Sequence, residues 1–392
     1  MNSNLPGADI VNQLDSADLC GFPHYMLKEI HDQPQAVQVC LEHYLPTSYS
    51  ALHTPYSSSL TAFLCDLNEV HIFACGSSYH AGLIAQYWIE QLAGIPVRIR
   101  SGSEFQEAPL PMSANTLMIG ITQSGETADT LNAIALDKQR RAAQSPAFQP
   151  HLLGITNQPA SALSKLVDWT LPTLAGTEIG VAATKTFMNQ LIVCFYLALE
   201  LALVCQAIAH EKIQIHHAEL YALPAKIRAV LELEIQIKNI AQEWVNQQHC
   251  IVLGRGINRA IALEGALKLK ETTYIHAEGY GAGEFMHGPI ALLDARIPVI
   301  AIAPTDSTHA AMIANLRKVK SHGSPIIGIL TEDAAPETIS LLDHALILPA
   351  IANPLFPILS VIPLQLLAYH IAVQRGLNVD KPRNITKTLS DQ

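Results

Sequence analysis

The sequence predicts an α/β protein: two doubly wound parallel-sheet domains related by duplication, followed by a functional C-terminal tail. Three observations carry that prediction. Short unbroken runs of Val, Ile and Leu alternate with long amphipathic stretches, as strands covered on both faces and joined by crossover helices do. The runs recur in the same order in both halves, offset by roughly 175 to 180 residues. The chain has 392 residues, 49% of them hydrophobic and only 15% charged, against about 25% charged in typical globular chains. That much apolar material fills two cores and leaves some for a face buried against another subunit.

Residues 1–21 are polar and aperiodic and read as a tail or linker. Residues 22–60 read as a helical lead-in, with a break near Pro34 and a loop at Ser48 to Ser59, where Ser, Pro and Tyr concentrate. The first domain, 61–207, contains the runs Val70–Cys75, Thr116–Ile121 and Leu152–Thr156, followed by Trp169–Pro172. A helical connector spans 208–240. The second domain, 241–376, repeats the order with Cys250–Leu253, Val299–Ala303, Ile326–Leu330 and then Leu346–Pro349. Residues 377–392 form the tail. Right-handed crossovers put the C-terminal ends of all strands on one edge of each sheet, where ligands bind.

The composition also excludes. Disordered chains are poor in apolar residues, and this one is not. A net charge of -10 argues against nucleic-acid and anionic-membrane partners, though a local pocket can still hold an anion. No Lys or Arg precedes Lys28, so the basic start of a secretory signal is missing, and the seven cysteines form no C-x-x-C pair. Reduced thiols and a cytoplasmic location follow. Leu191–Ala209 and Ala345–Val373 are strongly apolar but broken by Glu200, Gln206 and several prolines, so they read as core or subunit-interface helices.

The loop Thr122-Gln123-Ser124-Gly125-Glu126-Thr127 leaves a buried strand and opens a helix. Four of its side chains hydrogen-bond anions, and a helix N-terminus attracts negative charge. Ordinary N-capping needs one hydroxyl, and this loop offers more, so it reads as a phosphate site with Ser77 and Ser78 beside it. No Walker pattern occurs, and Arg259 stands where a dinucleotide fingerprint needs its third glycine. In the second copy the equivalent loop is Pro304–Thr308, where Asp306 would repel phosphate, so one site per chain is expected. Lys268 and Glu271 share a face of an otherwise apolar helix, Ile261 to Ile275. Such charges on a buried helix point to function as much as to a surface ion pair. Glu278 to Pro289 reads as a glycine-rich loop. Its Glu278, Glu284 and His287 fit no common metal spacing, so a general acid or base at His287 is the simpler reading. A lysine in a mobile tail can form a Schiff base.

Together these residues resemble the isomerase half of the glucosamine-6-phosphate synthase family, the glutamine–fructose-6-phosphate amidotransferases. That half consists of two sugar isomerase (SIS) domains. The resemblance runs from Phe22 to Lys387. It rests on Ala74–His80, Thr122–Thr130, Gly180–Lys185, Glu264–Glu271, Glu284–Pro289, Leu364–His370 and Asp380–Asn384. It implies that Ser78, Thr122, Gln123, Ser124 and Thr127 hold the sugar phosphate, and that Ser77, Val181 and Thr386 meet the sugar. It implies that Glu271 moves a proton between C1 and C2 and that His287, from the neighbouring subunit of a homodimer, opens the ring. Lys387 would form the imine, and Lys268 would tune it. No cofactor or metal is implied. Thr122 stands where the family usually has Ser, Ser77 where Thr is common, Met286 where Lys is usual and Thr386 where Ala is usual. The glutaminase domain is missing, so the expected activity is glutamine-independent: isomerisation and amination of fructose 6-phosphate to glucosamine 6-phosphate, fed by a separate ammonia source. A catabolic glucosamine-6-phosphate deaminase and a non-catalytic sugar-phosphate-binding regulator are the alternatives. The second would keep the phosphate loop and lose Glu271 or Lys387, and both are present.

Overall fold

The computed structural model describes residues 14, 18–45 and 57–387. Most of the expected N-terminal tail, most of the loop at Ser48–Ser59 and the end of the C-terminal tail lie outside the described residues. Each half of the chain contains a five-stranded, fully parallel sheet. The first comprises β1 (Glu69–Ala74), β2 (Val97–Ser101), β3 (Thr116–Ile121), β4 (His151–Thr156) and β5 (Trp169–Pro172), in the order β2-β1-β3-β4-β5. The second comprises β6 (His249–Gly254), β7 (His276–Gly281), β8 (Val299–Ile302), β9 (Ile326–Thr331) and β10 (His344–Leu348), in the order β7-β6-β8-β9-β10. The two orders are the same, so the duplication extends to topology. In each sheet the order reverses next to the first strand, between β1 and β3 and between β6 and β8. Loops leaving that point open a crevice at the strand C-termini.

The central strands form because every residue of β1, β3 and β9 is buried, on both sheet faces. Helices cover those faces: α1 (Tyr25–His31), α2 (Gln33–Tyr44), α3 (Gly76–Leu92), α4 (Ala128–Arg141), α5 (Lys185–Val204), α6 (His210–Leu231), α7 (Glu234–Trp244), α8 (Asn258–Thr273), α9 (His309–Ser321) and α10 (Phe356–Gln374). Pro34 lies in the first turn of α2, where a missing N–H leaves no intrahelical bond unmade. Both α5 and the segment ending in α10 are long and apolar enough to cross a membrane. They are 89% and 94% buried inside the protein, which makes them its core helices. One apolar cluster runs from Ile72 and Trp88 through Phe195 to Leu364 and Ile329, so the two sheets share a core. Trp88 Nε1 donates to Pro354 O at 2.8 Å and ties α3 to the turn before α10.

Two local expectations need correction. Glu278 to Pro289 is not one loop: β7 takes Glu278 to Gly281, and a 3-10 turn takes Glu284–His287. As an edge strand β7 buries only Ala277, so it carries no apolar run to read. The Ser48–Ser59 loop ends early, because a helix spans Ser57–Phe63. In the N-terminal segment, Leu14 is buried and its carbonyl accepts from Lys185 Nζ at 3.3 Å.

Candidate active site

The loops leaving β1, β3 and β4 meet at the crevice of the first sheet. Gly125 has φ +70, and a Cβ there would lie 2.0 Å from Ser161 Oγ, so only glycine fits this turn. The turn places Gln123, Ser124 and Glu126 opposite Gln158 and Ser161 around a cleft of about 400 Å³. Thr122 and Thr127 lie just behind, their hydroxyls 2.6 Å apart across the loop. Ser124 Oγ accepts from Glu126 N at 3.1 Å. Ser78, in the first turn of α3, is nearly buried and accepts from Gln190 Nε2 at 3.0 Å.

A second group sits on α8, where the two domains touch. Glu264, Lys268 and Glu271 follow at i, i+4 and i+7, so one helix face presents all three. Lys268 Nζ lies 3.4 Å from Glu264 and 2.6 Å from Glu271 Oε2, and donates to Ser77 Oγ at 3.1 Å. Ser77 in turn donates to Glu264 at 2.9 Å, and His80 Nδ1 lies 2.7 Å from the other Glu264 oxygen. Glu264 and Lys268 are fully buried, while Glu271 keeps a fifth of its side chain open. Burial disfavours the Glu264 charge, but the Lys268 ammonium, His80 and Ser77 outweigh it and hold the carboxyl below its ordinary range. Burial likewise disfavours the Lys268 charge, and Glu264 and Glu271 reverse that and raise its pKa. The open side of Glu271 faces a cleft with Lys270, Tyr274, His276 and the tail residues Arg383, Asn384 and Ile385.

The tail passes from that cleft to the first one. Lys387 lines the Gln123–Glu126 cleft, where its Nζ donates to Glu178 Oε2 at 2.8 Å and to the Gly180 carbonyl. Glu178 is buried and caps the N-terminus of α5, accepting from Thr184 N at 2.9 Å and Thr186 Oγ1 at 2.6 Å. Burial opposes its charge, and Lys387 with these donors overcomes that and depresses its pKa. Val181 N–H donates to the Asp380 carbonyl at 3.0 Å, so of its backbone groups the carbonyl is the one left for a sugar. Thr386 is exposed beside Lys387.

His287 stands apart. It ends the turn Glu284–His287, is exposed, and lines neither cleft. In the second sheet, Asp306 Oδ1 accepts from both Thr308 N and Thr308 Oγ1 at 2.7 Å, so a carboxylate occupies the place of an anion. Sequence reasoning gave no role to Glu264, His80, Gln190, Glu178 or Asp380. The spacing Ser77–His80 and Glu264–Lys268–Glu271, each on one helix face, was the available signal for the first two. Nothing local marks Glu178, which acts through a residue 209 positions away.

A family model for the SIS domain matches residues 64–200 and 244–375. The chain belongs to the SIS domain family. Its two SIS domains resemble those of glutamine–fructose-6-phosphate aminotransferase (isomerizing) from Synechocystis sp., 48% identical over 94% of this chain. The chain spans 59% of the length of that relative. Among solved structures, the C-terminal domain of glucosamine-fructose-6-phosphate aminotransferase from Francisella tularensis superposes with a TM-score of 0.86 at 36% identity, covering 93% of this chain and all of that one. Glucosamine-6-phosphate deaminase from Thermotoga maritima has the same SIS fold, with a TM-score of 0.71 at 23% identity over 93% of this chain and 99% of that one.

Proposed function

We propose that this SIS pair is a hexose 6-phosphate isomerase and aminating enzyme that works through a lysine imine. The observation that carries the reading is Lys387, an amine held by Glu178 in a cleft whose other wall is the Gln123–Glu126 loop. That loop, with Ser78, Thr122 and Thr127, would bind the phosphate of fructose 6-phosphate and set the sugar carbons along the cleft. Remote binding energy of this kind positions the reacting atoms. The neutral Lys387 amine attacks the C2 carbonyl and water leaves, giving an imine. Ammonia, free or from a separate source, displaces the lysine at C2. Glu271 then takes a proton from C1 and returns it to C2, while the O1 hydroxyl proton passes to nitrogen, which yields glucosamine 6-phosphate. Lys268, 2.6 Å from Glu271 Oε2, would orient that carboxylate as the base. Ser77, the Val181 carbonyl and Thr386 would meet the sugar hydroxyls. His287 lies outside both clefts, which supports its delivery from a second subunit of a homodimer to open the ring.

The test is direct. Incubation with fructose 6-phosphate and borohydride should fix the sugar phosphate to Lys387, detected as a mass increase on the tail peptide. Lys387→Ala should show none. The same protein should form glucosamine 6-phosphate from fructose 6-phosphate and ammonia, and none from glutamine. Failure of wild-type protein to trap would remove the imine. Binding of fructose 6-phosphate without any turnover would favour a sugar-phosphate-binding regulator.

A further inference from the structure

Glu29 is a buried acid on α1 that none of the chemistry above uses, and it touches the segment that holds Lys387. It is 2% exposed. Its Oε1 accepts from the N–H groups of Ile179 and Gly180, the latter at 3.1 Å. Its Oε2 is buried with no hydrogen-bond partner. Gly180 lies so close that a Cβ there would be 2.7 Å from Oε2. On its other side the same short segment receives Lys387, through Glu178 Oε2 and the Gly180 carbonyl. The tail and α1 are joined a second time. Asp380 carboxylate oxygens accept from Tyr25 N at 3.0 Å and Met26 N at 2.8 Å, and the Asp380 carbonyl accepts from Val181 N.

The geometry points to Glu29 as a positioning residue for Lys387: it fixes the Ile179–Gly180 turn and governs how much negative charge stands behind the amine. The inference rests on the imine reading of Lys387. To attack a ketone, the amine must shed its proton and leave Glu178. One carboxylate beside the ammonium permits this, whereas two would hold the proton more firmly. Burial first, then the Glu178 charge, pushes the Glu29 pKa up to about 8, against the pull of Lys387 and the two amides. At neutral pH Glu29 is therefore largely the neutral acid, and it ionises as pH rises through that value. The other charged groups around α1 are committed elsewhere. Lys185 from α5 and Lys28 from α1 itself both pair with Asp32, and Asp380 caps the start of α1.

Competitive labelling of the ligand-free full chain with acetic anhydride tests this without any sugar. The measurement is Lys387 labelling relative to the exposed Lys318, read by peptide mass spectrometry between pH 6 and 10. Glu29→Gln keeps an acceptor for the two amides and cannot ionise. Its ratio should match wild type within about twofold at pH 7 and exceed it by about threefold or more at pH 9.5, because the second negative charge is absent. Gly180→Ala displaces the turn from the opposite side, and should raise Lys387 labelling already at pH 7. A Glu29→Gln ratio equal to wild type across the whole range would overturn the inference, and a purely structural role for Glu29 would give that result whatever Gly180→Ala does. Borohydride trapping with fructose 6-phosphate is read separately. The predicted labelling shift without any wild-type adduct would leave the coupling to Glu29 standing and remove the imine instead.

Discussion

Replacing Lys268 with Met removes one buried ammonium and keeps the volume of its side chain. Three groups lose their partner: Glu264 at 3.4 Å, Glu271 at 2.6 Å and Ser77 at 3.1 Å. Breaking a buried ion pair by deleting one member typically costs ~3–5 kcal/mol, because the other charge stays behind. Glu264 is fully buried but keeps Ser77 and His80 as donors, and Glu271 reaches solvent. The cost should therefore fall at the low end, about 3 kcal/mol, or a drop in melting temperature of about 4 °C for a chain of this size. The pH dependence is the sharper test. The Glu264 pKa is depressed in the folded state, so its contribution is present above the unfolded value of about 4.3 and is lost as pH falls. The Lys268 pKa is raised, so its contribution is complete below about 10.4 and is lost as pH climbs past that. The stability difference between wild type and Lys268→Met should form a plateau across neutral pH and shrink at both ends. Denaturant titrations from pH 3 to 11 read it. A variant as stable as wild type, or a difference indifferent to pH, would show that the α8 cluster is not held by charge.

The other predictions are briefer. Glu271→Gln should bind fructose 6-phosphate within a few-fold of wild type and turn over at least about 100-fold more slowly, the usual size of a general-base effect; near-normal turnover would exclude Glu271 as the proton carrier. Gly125→Ala forces a left-handed residue against Ser161, so calorimetric affinity for fructose 6-phosphate should fall about tenfold or more, with ~2–3 kcal/mol of stability lost to strain and overpacking. Mixing His287→Ala with Lys387→Ala subunits, each inactive alone, should restore part of the activity after exchange. Mixed dimers that form and stay inactive would place His287 outside the site.

The parts of the fold that were legible are those where sequence pattern and burial coincide. Runs such as Thr116–Ile121 and Ile326–Thr331 are buried at every position, so a parallel sheet follows from composition alone. Two of the four edge strands escape this logic: β2 reads Val-Arg-Ile-Arg-Ser and β7 His-Ala-Glu-Gly-Tyr-Gly, each half in water. The candidate site divides the same way. The Thr122–Thr127 loop announces itself because many polar residues gather where a strand meets a helix, and Lys268 with Glu271 stand out on an apolar helix. Glu178 and Glu29 do not, because their meaning lies in partners far along the chain, and a buried acid in sequence looks like any exposed one.

The duplication explains why the site could arise at all. A single unit of this kind has one crevice, at the point where its strand order reverses. In the first copy that crevice keeps hydroxyls and a glycine turn suited to an anion. In the second, Asp306 folds back onto Thr308 and fills the equivalent place. The second copy contributes something else, namely the α8 face carrying Glu264, Lys268 and Glu271, pressed against Ser77 of the first copy. The Gln123–Glu126 cleft thus belongs to the first half and the Glu264–Lys268–Glu271 face to the second. The tail then threads from the Glu271 cleft to the Gln123–Glu126 cleft and ends its described course with Lys387 against Glu178. Under the proposed mechanism, the Lys387 amine held against the first domain and the Glu271 acid of the second would act on one sugar only if the domains do not shift. The shared core and the Ser77–Glu264–Lys268 bonds across their boundary provide that rigidity.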